Sequence, residues 1–133
     1  MRKTILASAA FATLISGYTL GTAGTASAAD RAASCAEVVQ IATKFNNDID
    51  ALNGDDPQYT AKLKKVYKGT SASFTDVAAK ADDVELKRTL STAAGQMDRL
   101  SSESDEVFLK TPQDKNSEFM QALAKVDSAC PTP

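Results

Sequence analysis

The stretch DDVELKRTLSTAAGQMDRLSSESDEV, Asp82 to Val107, decides the fold. Two carboxylates open it, which suits the positive end of a helix dipole. Behind them Leu86, Leu90, Ala93, Met97, Leu100, Ser104 and Val107 follow at alternating steps of four and three. That spacing keeps one stripe on one face of a long helix, expected over 83–109.

Upstream, Asp56-Pro57 offers an N-cap followed by the first helical position that proline favours. The stripe Tyr59, Leu63, Val66, Thr70, Phe74, Val77 and Ala81 predicts a helix over 57–81, with a kink or break at Gly69 beside Thr70-Ser71. Earlier still, Cys35, Val38, Ala42, Phe45, Ile49 and Leu52 share a face and predict a helix over 34–52. Asn53-Gly54 is its expected stop, glycine tolerating a left-handed C-terminal turn. Downstream, Thr111 as cap, Pro112 at the first position and Asp114 behind them announce a helix over 112–130 that carries Phe119, Leu123, Val126 and Cys130. Strand-like alternation is absent after the first 28 residues. The expected fold is all-α: an antiparallel up-down-up-down four-helix bundle closed by a disulfide between the start of its first helix and the end of its last.

Parity supports the count of four. Cys35 begins the first helix and Cys130 ends the last, so a bond between them requires the chain to return to the end it left. Three spans of about 20 residues would hold the sulfurs roughly 30 Å apart, beyond bonding reach. Both cysteines lie in register with the apolar stripes. A metal or catalytic cysteine would need a histidine partner, and the chain has none.

The N-terminus carries Arg2 and Lys3, then an uncharged run from Thr4 to Leu20, then small residues ending in Ala26-Ser27-Ala28. This is the three-part layout of a secretory signal peptide, residues 1–28, with cleavage after Ala28 and Ala29 as the alternative. Ser8, Thr13, Ser16, Gly17 and Thr19 dilute the run as a membrane anchor. Asp30-Arg31-Ala32-Ala33-Ser34 before Cys35 makes a poor lipidation box. Removing 28 residues from 133 leaves a single domain of 105, residues 29–133, with 13 basic and 17 acidic side chains, a net charge of −4. An acidic chain without a basic stripe does not suit nucleic acid. The expected product is secreted and extracellular, with no membrane span after cleavage, and its partner is sought outside the cell or in the cell envelope.

The absence of histidine removes the commonest general base, metal ligand and haem ligand together. Neither Ser-x-x-Lys, Gly-x-Ser-x-Gly nor a phosphate-cradling glycine loop occurs. Asp48, Asp50 and Asn53-Gly54 resemble the start of a calcium loop, but Leu52 sits at a ligand position and Tyr59 stands where the twelfth-position glutamate belongs. The acidic groupings Asp82, Asp83, Glu85 and Glu103, Asp105, Glu106 are expected as helix caps and solvated charge rather than as the paired carboxylates of a hydrolase, which need a deep cleft. No enzyme, metal or cofactor is expected. Two features remain. Lys62, Lys64, Lys65 and Lys68 crowd one segment with Tyr59 and Tyr67 beside them, a candidate interaction patch for an anionic partner. The stripes also mix large residues such as Phe45, Phe74 and Phe119 with small ones such as Ala42, Ala81 and Ala93, so a hole between helices offers a site for an apolar ligand.

Ser34-Cys35-Ala36-Glu37 after the leader, the segment Ala79 to Lys87 and the late Cys130 resemble the small secreted two-cysteine helical proteins of actinobacteria. The resemblance covers most of the chain after the leader and implies an exported, helical, non-enzymatic protein. It transfers no functional residues. A weaker likeness is to mycobacterial secreted haem carriers; without histidine it leaves Tyr59, Tyr67, Met97 and Met120 as the available iron ligands. The resulting expectation is a secreted non-catalytic binding or interaction module, with a carrier of a lipid-like or haem-like ligand as the alternative.

Overall fold

The computed structural model describes residues 23–131. Among them are five α-helices, one 3-10 turn and no strand. Helix α1 is described over Ala23–Asp50, α2 spans Tyr59–Lys80, α3 Val84–Ser101, α4 Asp105–Lys110 and α5 Glu118–Ala129, with the 3-10 turn at Thr111–Gln113. Residues 1–22 of the expected leader lie outside the described residues. Among the described residues no helix is long and apolar enough to cross a membrane.

α3 is the centre of the fold. Leu86, Leu90 and Ala93 have no solvent exposure, and Met97 and Leu100 are buried beside them. The predicted row is therefore the row that the other helices cover. α2 lies along one side of α3 and contributes Leu63, Tyr67, Phe74 and Val77, while α5 covers another side with Phe119, Ala122 and Val126. α1 packs on α2 and buries Val38. Tyr67 is the hub of an aromatic cluster: its ring meets Phe45 at 5.1 Å and Phe108 at 4.8 Å edge-on, and Phe119 at 5.8 Å in a stacked arrangement. Such pairs add to the stabilisation that burial alone supplies.

Cys35 and Cys130 are bonded, their Cα atoms 5.1 Å apart, as the sequence predicts. The bond joins α1 to the residue that caps α5.

The boundaries depart from expectation where short polar side chains compete for the backbone. The helix expected over 83–109 ends at Ser101, and Ser104 starts α4 instead, its Oγ accepting the Val107 N–H at 3.4 Å. Ser101 donates from its hydroxyl to the Asp98 carbonyl at 2.7 Å, and Asp105 and Glu106 fill the first turn of α4, so the serine-rich stretch ends one helix and begins the next. The turn rotates the register: Val107, expected inside, is 43 % exposed and Phe108 takes the buried place. Pro112 sits in the 3-10 turn, and the cap of α5 is Ser117, whose Oγ accepts the Met120 N–H at 3.2 Å. Asp56 acts before α2 begins, accepting the Gln58 N–H at 2.8 Å in an Asx turn. α1 is already helical before residue 34 and ends at Asp50, and Gly54 after it does not adopt the left-handed conformation. α2 runs through Gly69 unbroken.

A methyl group added at Gly69 would meet nothing within 4 Å. Gly69→Ala should therefore raise stability by about 0.5–1 kcal/mol, read from thermal or urea unfolding. The disulfide closes a loop of 95 residues, and by the chain-entropy relation it contributes about 4–5 kcal/mol. Reduction should lower the melting temperature by roughly 15 °C or more. An unchanged melt would show that the cross-link does not restrict the unfolded chain.

Candidate functional site

The residues after the expected cleavage point are held in the fold by the α2–α3 turn. The Asp30 carboxylate accepts the N–H groups of Asp82 and Asp83 at 3.0 and 3.3 Å. Arg31 donates to Asp83 Oδ2 at 2.7 Å, while Asp83 Oδ1 accepts the Leu86 N–H and caps α3. Those bonds, the Leu86 N–H first and the Arg31 guanidinium next, hold the Asp83 carboxyl below the ordinary aspartate value of 3.8. Asp83 is thus a structural cap. In the second acidic grouping, Asp105 pairs with Lys64 and Glu106 with Lys110.

Among the patch residues, Lys62, Lys64, Lys65 and Lys68 all belong to α2, and the structure gives them different surroundings. Lys62 pairs with Asp56, and Lys68 with Asp98 at 3.3 Å. The bond to Lys62, followed by the Gln58 N–H, lowers the Asp56 pKa. Lys64 donates to Asp105 Oδ1 and to the Glu103 carbonyl, both at 2.7 Å, with its ammonium 5.6 Å from the centre of the Phe108 ring. It tethers α4 to α2. Lys65 is exposed. Tyr59 is partly buried against the core, and Tyr67 lies within it, where burial pushes the phenol upward, with Tyr59 adding a smaller effect.

A different place has the form of a binding site. α1 and α5 are tied at Cys35–Cys130, and among the described residues their backbones do not run closely side by side elsewhere. The space between them is a partly open cleft of about 240 Å³. Val38, Val39, Ala42 and Phe45 of α1 form one wall, with Asn46 beside them. Leu123 and Val126 form the other, with Asp127, and Cys130 closes the end. Thr70 and Phe74 of α2 and Met97 of α3 also line it. Of the small residues singled out in the sequence, Ala42 lines this cleft, whereas Ala81 and Ala93 are buried in packed surroundings. Of the available iron ligands, Met97 alone is a lining residue.

The model of one family, described as a domain of unknown function (DUF8711), matches residues 29–131. The chain belongs to the DUF8711 family. No curated protein and no solved structure matches it. The residues that align with DUF8711 include both cysteines, the Asp30–Arg31 clamp and every residue of the cleft.

Val39, Asn46 and Asp127 escaped the sequence reading. Val39 follows Val38 outside the step-of-four-and-three row, and its signal was the width it gives to the apolar face of α1. Asn46 and Asp127 belong to helices far apart in sequence and carry no joint signal.

Because the folded Asp83 pKa is depressed, its contribution to stability is present above the unfolded value near 3.8 and lost as pH falls through the lower folded value. Asp83→Asn should destabilise the protein at neutral pH and reduce the loss of melting temperature on acidification below that point. Parallel melting curves for the two proteins would refute this assignment.

Proposed function

We propose that this protein is exported as a precursor, cleaved after Ala28, and acts outside the cell as a non-catalytic module that carries a small apolar ligand in the cleft between α1 and α5. The observation that carries the reading is an apolar gap between two helices covalently fixed to one another at its end. Side chains normally fill such a space to close-packed density, and apolar lining left open to the surface favours an apolar occupant over water.

Export is supported by the charged, apolar and small-residue order of the leader, by a disulfide of the kind that persists in oxidising compartments, and by a family match that starts at residue 29. We read the architecture as four up-down-up-down spans, with α4 and the 3-10 turn elaborating the last connection. The lysines of α2 take the lesser part in this reading, since Lys62, Lys64 and Lys68 are already paired with carboxylates of the same chain. The non-catalytic part of the reading is supported by the missing histidine and by the capping and pairing roles of Asp83, Asp105 and Glu106.

A linear alcohol such as octanol tests the reading. Calorimetry should give one site per chain, and at a free concentration a hundred times Kd the ligand should stabilise the fold by about 2.7 kcal/mol. Ala42→Phe, which places a ring in the cleft, should abolish binding while leaving the helical circular dichroism and the disulfide intact. Saturable binding that survives Ala42→Phe would locate the site elsewhere, and no binding by any small apolar compound would remove the carrier reading.

A further inference from the structure

Among the described residues Asp127 is the one ionisable side chain lining the cleft, since Cys130 is consumed in the disulfide. Among the described residues no lysine or arginine forms an ion pair with it. The nearest basic neighbour in sequence, Lys125, lines a separate groove with Arg31 and Arg88. On α1, Lys44 is paired with Asp48. Asp127 is exposed, as is Asn46 on the other wall, so a carboxylate and an amide border a space otherwise lined almost wholly by apolar side chains.

We propose, building on the carrier reading above, that the cleft selects a cationic amphiphile: an alkyl chain carrying an ammonium head group. The chain lies against Phe74 and Met97, and the ammonium rests beside Asp127, with the Asn46 amide oxygen as a second acceptor. Charge sets the preference. A fatty acid seated the same way would bring its carboxylate against Asp127, and an alcohol could donate its hydroxyl there but carries no charge to be attracted. A cleft of about 240 Å³ has room for a short linear chain.

Octylammonium, octanol and octanoate share one chain and differ in charge. Titrated calorimetrically into the oxidised protein near pH 7, where the first is a cation and the last an anion, they should rank in that order, with about five- to tenfold between the ends. Added salt should narrow the spread. Asp127→Asn should remove it and Asp127→Lys should invert it, with the helical circular dichroism and the disulfide of both variants unchanged. Equal affinities in the wild type, tighter octanoate, or an Asp127→Asn effect equal on all three ligands would overturn the head-group assignment and leave the carrier reading standing. Failure of all three to bind would overturn both.

Discussion

Leu86, Leu90, Ala93 and Met97 form a row shut off from solvent, and the positions of the other helices follow from how each reaches it. α2 and α5 lie directly against α3, while α1 is placed at one remove, through its packing on α2. Each leucine sealed in that row stabilises the fold by about 1.5–3 kcal/mol relative to an exposed one. A helix held at one remove contributes less of that burial. The covalent link between Cys35 and Cys130 compensates by fixing α1 to the end of α5 without requiring their side chains to interlock along their length.

The cleft is a product of that division of labour. Had α1 packed against both α2 and α5, Val38, Val39 and Ala42 would have met Leu123 and Val126 and filled the space. A cross-link at one end and packing on a neighbour instead leave these two walls facing one another across a gap. The aromatic cluster around Tyr67 gives rigidity from below: Phe45 belongs both to that cluster and to the cleft wall, so the wall is braced by the core. Such bracing keeps an open cleft from collapsing.

Much of the core was written in the periodicity. The row from Leu86 to Leu100 and the cysteine pairing could be read because each depends on spacing alone. Ser104 fits the same spacing and was misplaced by it, since its hydroxyl serves as a cap; the following Asp105-Glu106 was the cue to a new helix. Thr111-Pro112 and Ser117-Glu118 both resemble helix starts, and the chain uses the first for the 3-10 turn and the second for α5. Tyr67 was grouped with the lysines because it adjoins them in sequence, although it stands four residues after Leu63 and therefore on the same face. Size contrast marks Phe45, Phe74 and Phe119 with Ala42, Ala81 and Ala93 as cavity candidates, and of these Ala42, Phe45 and Phe74 line the cleft. That these residues and not Ala93 line an opening depends on which pair of helices stays apart, and no local pattern encodes a distance between α1 and α5.

The order in which a ribosome delivers the chain gives the disulfide a second meaning. Cys130 is made 95 residues after Cys35, so the Cys35 thiol has no native mate until the last described helix, α5, has been synthesised. With two cysteines in the chain, no alternative intramolecular pairing can trap it in the meantime. The Cys35–Cys130 bond therefore acts as a latch that closes only once the helices between the two cysteines have been made.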